Sequence, residues 1–174
     1  MTFLGDRIVQ YPKEYSVCLG CKSCELVCSL VHEGMTGPQL NRIFCELGTT
    51  RNLHHTIKSC QQCADHPCYE ACPKKGSAMR VDSGTNIVYV VEEECIGCGK
   101  CQAACVFTPS RINLVRGRGK DRSLRKAKKC DLCRGREGGP ACVEACPAQC
   151  IGLASRALPY DPESLPRVTE EAWS

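Results

Sequence analysis

Apolar residues along the chain occur in short runs separated by turn-forming residues. Met79–Val81 and residues 87–91 are two such runs, and residues 82–86 (DSGTN) between them favour a turn, so this stretch predicts a β-hairpin. Other apolar runs predict short strands at residues 43–47, 112–115 and 150–153, and helical turns are expected near the third cysteine of each motif described below, for example at residues 25–31 and 102–107. The pattern therefore predicts an α+β protein made of small hairpins and short helices.

Composition limits how such short elements can be held together. The chain has 174 residues, of which only 5% are aromatic and 18 are cysteine. Large aromatic side chains usually dominate a core, and a scaffold that lacks them usually needs covalent or metal cross-links. The cysteines are the candidates, either as disulfides of a secreted protein or as metal ligands of a cytosolic one.

The first residues of the chain favour metal ligation. Residues 1–17 include Asp6, Arg7, Lys13 and Glu14 and contain no continuous apolar segment typical of a secretory signal. No apolar run approaches the roughly 18 residues that a membrane span needs. We therefore expect a cytoplasmic location, where disulfides would not persist; export together with a signal-bearing partner stays an alternative.

The cysteines fall into four groups of four, which indicates an internal repeat. The first and third groups share the spacing C-x2-C-x2-C-x3-C, whereas in the second and fourth the middle gap widens to four and eight residues and a proline follows. The groups are Cys18, Cys21, Cys24 and Cys28; Cys60, Cys63, Cys68 and Cys72; Cys95, Cys98, Cys101 and Cys105; and Cys130, Cys133, Cys142 and Cys146.

This spacing is typical of [4Fe–4S] cluster ligands. Three cysteines in a tight loop can each reach a different iron, and the fourth points away to ligate the cluster held by a partner motif. Motifs therefore work in pairs, and four motifs predict four clusters. Gly20, Gly97 and Gly99 lie in these loops, where glycine would let backbone N–H groups turn towards sulfide.

Zinc is the competing interpretation. A structural zinc ion takes four ligands, and the fourth motif by itself could form such a site. In the first and third motifs, however, three cysteines fall within seven residues and would crowd one tetrahedral ion. The alternative to an electron carrier is therefore a structural zinc module.

Cluster ligation changes the meaning of the formal charge of +4. A [4Fe–4S] core with four thiolates carries about −2, so four would add about −8 and bring the chain near −4. Residues 111–129 are rich in Lys and Arg, and we expect them to form a solvated face that balances the clusters. Aromatic stacking residues are not interleaved among them, so we expect no nucleic-acid partner.

With the motifs on hand, residues 15–155 resemble the four-cluster ferredoxin subunits of the dimethyl-sulfoxide-reductase iron–sulfur family. The second motif, CQQCADHPCYEACP, and the fourth, CDLCRGREGGPACVEACP, carry the resemblance. Ser29 and Val106 depart from two-cluster ferredoxins, which have proline after the fourth cysteine. The resemblance implies two bacterial two-cluster-ferredoxin-like units, one inserted in the other.

The resemblance also implies that the outer motifs, one and four, pair with each other and that the inner motifs, two and three, do the same. Spacing leaves this open, since it equally allows motif one to pair with motif two and motif three with motif four. It places residues 1–55 and 119–156 in the outer unit and residues 56–118 in the inserted unit. The implied ligand sets are Cys18, Cys21, Cys24 and Cys146 for cluster 1; Cys60, Cys63, Cys68 and Cys105 for cluster 2; Cys95, Cys98, Cys101 and Cys72 for cluster 3; and Cys130, Cys133, Cys142 and Cys28 for cluster 4.

A finer resemblance concerns the partner. The stretch CELVCSLVHEG, followed by Asn41-Arg42-Ile43, is similar to the small subunit that accompanies tungsten aldehyde oxidoreductases. It implies a catalytic tungsten– or molybdenum–pterin subunit, with a ferredoxin or a flavin- or NAD-linked subunit as the other partner. Similar subunits serve hydrogenases and carbon monoxide dehydrogenases, and a free-standing polyferredoxin is a further alternative.

The remaining candidates have less specific patterns. Cys45 and Cys150 lie outside the motifs and are interpreted as small buried apolar residues on strands. His66 is expected to shape its loop or to donate a hydrogen bond to a cluster. No nucleophile–base pair or phosphate-binding loop is present, so we expect no catalytic site. Residues 157–174, which include Trp173, are interpreted as a docking arm, with a frayed terminus as the alternative.

Overall fold

The structure, a computed structural model, describes residues 6–50, 54–116 and 125–155. In these segments the chain forms strand pairs and short helices. In chain order the elements are β1 (Ile8–Gln10), α1 (Ser23–Glu33), β2 (Ile43–Glu46), β3 (Thr56–Ser59), α2 (Pro67–Glu70), β4 (Met79–Val81), β5 (Val88–Val90), α3 (Lys100–Ala103), β6 (Ile112–Arg116), β7 (Arg125–Lys129), α4 (Ala141–Glu144) and β8 (Ile151–Leu153).

The strands pair two by two, and each pair is antiparallel. β4 and β5 form the predicted hairpin, with Met79 opposite Val90. β2 pairs with β3, β6 with β7, and β1 with β8. The β1–β8 pair sets Ile8 opposite Leu153 and so brings the two ends of the described chain together.

Most of the predicted elements are present. The strands predicted at residues 43–47, 112–115 and 150–153 are β2, β6 and β8, and the helix predicted at residues 25–31 is α1. The helix predicted at residues 102–107 is wrong in its extent, because α3 ends at Ala103; Pro109 lies close behind and disfavours a longer helix. The sequence pattern did not indicate β1, β3 or β7.

Helix α1 shows how the local sequence positions two ligand candidates. It has 11 residues and ends at Gly34, whose left-handed backbone (φ 67°) lets its N–H reach the Leu30 carbonyl. Cys24 and Cys28 are four residues apart and therefore lie on one face, which is buried. That face packs on α4, which carries Cys142.

Two small apolar clusters form the core of the described residues. One surrounds Ile8, Ile43 and Ile151, and the other contains Val88 and Ile112. Cysteines are integral members of both. A core so small and so rich in cysteine gives limited stability from apolar burial alone, so the fold is expected to depend on what the cysteines bind.

Two strand pairs join stretches that the resemblance divides between its two units. The β2–β3 pair crosses the boundary after residue 55, and the β6–β7 pair crosses the boundary after residue 118. Strand pairing therefore connects the two implied units at both junctions. The arrangement as one ferredoxin-like unit inserted in another stays a prediction.

Two further expectations concern the ends and the surface of the molecule. Residues 157–174, the expected docking arm, lie outside the described residues. In the described segments no helix has the length and apolarity that crossing a membrane requires.

Candidate metal-cluster sites

Four cysteines from two motifs line a cavity beside α2. Cys60, Cys63 and Cys68 of the second motif and Cys105 of the third surround about 370 Å³ of space. The chain reaches this shape through left-handed backbone at two residues of the second motif, Gln62 and His66 (φ 47° and 43°). Cys105 is fixed from outside, because the Arg111 backbone N–H donates a hydrogen bond to its Sγ at 3.3 Å.

A second cavity of about 360 Å³ is lined by Cys95, Cys98 and Cys101 of the third motif and by Cys72 of the second. Gly97 has left-handed backbone (φ 68°), and a Cβ placed there would overlap the Arg125 carbonyl oxygen. Glycine is therefore required at this position by both the backbone conformation and the close approach of β7.

A third cavity, of about 300 Å³, is lined by Cys18, Cys21 and Cys24 of the first motif and by Cys146 of the fourth. Cys45 and Cys150 line the same cavity. Both are buried, as predicted, but they also touch ligand candidates: the Cys45 Sγ lies 3.8 Å from the Cys18 Sγ, and the Cys150 Sγ lies 3.6 Å from the Cys146 Sγ. Spacing gave no sign of the contact of Cys45, which is 27 residues from Cys18, whereas Cys150 lies only four residues after Cys146.

The remaining four ligand candidates, Cys28, Cys130, Cys133 and Cys142, are all buried. The Cys142 thiol lies near enough to the other three to interact with each of them electrostatically. The Arg42 backbone N–H donates to the Cys28 Sγ at 3.2 Å, as the Arg111 N–H does to Cys105. We number the four groups of cysteines as sites one to four, after the clusters that the resemblance assigns to them.

Histidine and lysine side chains that the sequence analysis did not place near ligands also reach these sites. The His32 Nε2 lies 3.6 Å from the Cys133 Sγ, and the Asp131 carboxylate lies 3.5 Å from the same ring nitrogen. The solvated face expected at residues 111–129 is wrong for Lys126, Lys128 and Lys129, because all three are buried. Residues 117–124 of that stretch lie outside the described residues.

Burial controls the protonation of the cysteines before they bind metal. Desolvation is the largest cause of the raised pKa values of Cys24 and Cys101, both about 12, and of Cys28 and Cys68, both about 11. Metal ligation requires thiolates, so loading these sites must release protons. At the exposed Cys21 the pKa is lowered instead, chiefly by a hydrogen bond with the Ser23 side chain.

The cysteines fit a polynuclear group. All eighteen are free thiols, and among the described residues no three His, Cys, Asp or Glu side chains are arranged to hold a single ion. They surround cavities instead, and the cavity of site two contains two buried nitrogens, His66 Nε2 and Arg111 Nε, without a hydrogen-bond partner in the described structure. Buried donors of this kind suit an acceptor such as cluster sulfide.

These sites define a ferredoxin-type iron–sulfur protein. The chain belongs to the family of the 4Fe-4S dicluster domain, whose match covers residues 52–156. It is therefore an electron-transfer protein with [4Fe–4S] clusters.

Three relatives are similar to this chain. The "Aliphatic sulfonate oxidoreductase, polyferredoxin-like subunit" of Pyrococcus furiosus is 43% identical over 130 residues, which cover 74% of this chain and 66% of the relative, just under two thirds of its length. The "Electron transport protein HydN" of Escherichia coli is 35% identical over 155 residues, covering 81% of this chain and 85% of the relative. An "Iron-sulfur protein" of Rhodospirillum rubrum is 36% identical over 154 residues, covering 78% and 76%.

Proposed function

We propose that the chain is the electron-transfer subunit of an oxidoreductase complex and that it holds four [4Fe–4S] clusters, one at each of sites one to four. The observation that carries the proposal is the composition of the sites: each of the three cavities is lined by three cysteines of one motif and one cysteine of another. Bound clusters would supply one-electron oxidation and reduction with little rearrangement.

The contacts between thiols support an order of the sites. Cys142 of site four interacts electrostatically with Cys24 of site one, and Cys130 of site four interacts with Cys60 of site two. Cys101 of site three interacts with Cys68 of site two. The proposed series is therefore one, four, two, three.

The two ends of this series are the parts of the molecule that a partner could reach. Cys21 at site one and Cys98 at site three are exposed. Leu19 and Ile96, which follow the first cysteine of each motif, are also exposed, at 65% and 50%. Sites four and two are the more enclosed pair, so partners would dock at sites one and three.

For the partners we infer a catalytic subunit with tungsten or molybdenum bound to a pterin, such as an aldehyde oxidoreductase, at one end of the series. A ferredoxin or a flavin- or NAD-linked subunit would serve the other end. The name of the Pyrococcus relative, a subunit of an oxidoreductase, supports a catalytic partner. This chain itself would hold the clusters, exclude water from them and carry out no substrate chemistry.

The test is anaerobic purification from the native source, followed by iron, acid-labile sulfide and metal analysis of the material. We expect about sixteen irons per chain, with tungsten or molybdenum in a larger co-purifying subunit. If about sixteen irons were found with a co-purifying hydrogenase or carbon monoxide dehydrogenase, the proposed partner would be wrong and the four clusters would be confirmed. The same iron with no partner would make the chain a free polyferredoxin, and zinc in place of iron would overturn the proposal.

A further inference from the structure

Strand β7 carries three buried lysines, although lysine is rarely buried without a charged partner. Lys126, Lys128 and Lys129 are 7%, 6% and 3% exposed. Lys128 has the expected partners: its Nζ lies 2.9 Å from a Glu33 carboxylate oxygen and 2.5 Å from a Glu92 carboxylate oxygen. Burial of Lys128 is therefore explained by two ion pairs.

Lys129 differs from Lys128 in the chemistry of its partners. Its Nζ donates to the Gln62 Oε1 at 3.0 Å, to the Val88 carbonyl at 2.6 Å and to the Cys130 carbonyl at 3.2 Å. All three acceptors are neutral, and within residues 6–50, 54–116 and 125–155 no carboxylate forms an ion pair with Lys129. The ammonium group is thus hydrogen-bonded but not neutralised.

A buried ammonium without a counter-charge is unfavourable, because the group loses its hydration without gaining an ionic partner. The negative groups that could offset this cost are the thiolates of the cluster sites, because Cys60 and Cys68 of site two and Cys130 of site four all interact electrostatically with Lys129. Lys129 also lines the cavity of site two. Lys129 therefore lies between two cluster sites that belong to different motif pairs.

The same hydrogen bonds connect the peptide segments that form the two sites. The Gln62 Nε2 donates to the Cys130 carbonyl at 2.9 Å, and the Val88 N–H donates to the Gln62 Oε1 at 3.0 Å. Gln62 is itself buried and lies inside the second motif. The network fixes the ammonium group relative to both sites, so that its charge acts at a defined position.

We propose that Lys129 tunes electron transfer through the middle of the molecule: its buried positive charge raises the reduction potentials of the clusters at sites two and four. The reason is that a nearby cation stabilises the more negative, reduced form of a cluster. The inference rests on the proposed function, since it requires clusters at these sites.

The experiment compares Lys129→Met, Lys129→Gln and Lys129→Arg with the parent in the full chain, by iron content and by redox titration followed by electron paramagnetic resonance. We expect Lys129→Met and Lys129→Gln to lower two of the reduction potentials. The shift should change the ratio of reduced to oxidised cluster at a fixed ambient potential by about tenfold, equivalent to about 59 mV for one electron. Lys129→Arg keeps the charge and should leave the potentials near those of the parent.

The matched control is Lys126→Met, on the same strand and also buried. The Lys126 Nζ donates to the Cys95 carbonyl at 2.8 Å, so this variant loses the same charge near site three and should leave the potentials of sites two and four unchanged. Unchanged potentials in iron-loaded Lys129→Met and Lys129→Gln would overturn the inference and leave the proposed function intact.

Loss of clusters also decides the question. Loss in Lys129→Met and Lys129→Gln, with retention in Lys129→Arg, would show that the charge holds the clusters in place and would overturn its assignment to the reduction potentials. Loss in all three variants would overturn the inference, since the side chain would then matter by its shape. A parent chain without iron would overturn the proposed function itself.

Discussion

The end sites and the middle sites each have four cysteine ligand candidates, but these lie in different surroundings. At sites one and three a cysteine is exposed, Cys21 or Cys98, and an exposed apolar residue lies within the motif. At site four all four cysteines are buried, and site two is bordered by Lys129. The motifs of the two end sites share one spacing, whereas the middle gap widens to four residues at site two and to eight at site four. The end and middle sites therefore differ both in spacing and in how far the neighbouring elements cover them.

This difference separates two requirements of an electron carrier. Exposed ends let a partner approach a cluster, whereas an enclosed middle excludes water and places buried charges where they act strongly. Besides Lys129, the middle contains a buried ion-pair group in which Arg42 and Lys128 both contact Glu33 and Glu92. The end sites should thus tolerate change better than the middle sites.

The largest expected effect is the loss of a middle ligand. Cys142→Ala removes a buried thiol on α4, the helix that packs on α1. That thiol interacts with the other three cysteines of site four and with Cys24 of site one. One cluster contains about four irons. We expect the variant to lose more iron than this and to unfold at a lower temperature than the parent. Iron analysis and thermal unfolding measure both.

Cys98→Ala is the matched change at an end site, because Cys98 is exposed. It should lose about four irons, or fewer, and keep the other three clusters. Equal losses of iron and stability in the two variants would contradict the difference between ends and middle.

The second effect concerns the glycine that β7 covers at site three. In Gly97→Ala the new Cβ would overlap the Arg125 carbonyl oxygen, so either the loop or β7 must move. We expect the iron of site three to be lost while most of the remaining iron is retained. Electron paramagnetic resonance and iron analysis would detect the loss.

Gly135→Ala is the control for this substitution, because Gly135 has similar left-handed backbone (φ 86°) and nothing within 4 Å of the added Cβ. Its cost should be limited to backbone strain, roughly 1–3 kcal/mol, without loss of iron. If both variants lost the same amount of iron, strain rather than the approach of β7 would explain the requirement for glycine.

The sequence predicts the local features of these sites better than their surroundings. Within a motif the cysteines are only a few residues apart, so spacing alone indicates the chemistry, and the β4–β5 hairpin follows from a turn between two apolar runs. The pairing of motifs joins Cys24 to Cys146 across more than a hundred residues, and spacing alone leaves that choice open.

The strand β7 shows why the rest was missed. Its sequence, Arg-Lys-Ala-Lys-Lys, has the composition of an exposed stretch. Its lysines are buried because backbone carbonyls and carboxylates from distant parts of the chain meet them there. Such burial depends on the assembled structure, and neither hydrophobic periodicity nor propensity encodes it. The contact of Cys45 with Cys18 was missed for the same reason, because the two are 27 residues apart. Cys150 is different: it lies four residues after Cys146, so the sequence spacing could have indicated that contact.

A third, smaller effect would distinguish the two end sites from each other. Cys45→Ala and Cys150→Ala remove thiols that touch Cys18 and Cys146. Among the described residues that line site three, no cysteine outside the motifs is present. We expect full iron content in both variants. The reduction potential of the cluster at site one should fall, because a hydrogen bond donated to a ligand sulfur raises the potential of a cluster.

The redox titration described for Lys129 measures this effect, with the other three potentials as internal controls. An unchanged potential at site one would make Cys45 and Cys150 packing residues only. Loss of iron from site one would instead identify them as ligands.

The smallest expected effect concerns an exposed contact between the β4–β5 turn and the fourth motif. The Arg134 Nε donates to the Asp82 carboxylate at 3.0 Å, and its guanidinium stacks 4.2 Å from the centre of the Tyr89 ring. The hydrogen bond from Arg134, followed by that from Thr85, lowers the pKa of Asp82 to about 2. Exposed ion pairs contribute little to stability, so Arg134→Gln should lower the unfolding temperature only slightly and leave iron content unchanged.

The pH dependence of that small difference follows from the direction of the pKa shift. A carboxylate whose pKa is lower in the folded state stabilises the fold above its unfolded pKa of about 3.9, and the contribution is lost as the pH falls through about 2. Between about pH 5 and pH 8 Asp82 stays ionised, so the difference in unfolding temperature between Arg134→Gln and the parent should remain constant. A difference that disappears within this range would mean that another group, and not the Asp82 carboxylate, is the partner of Arg134 that matters for stability.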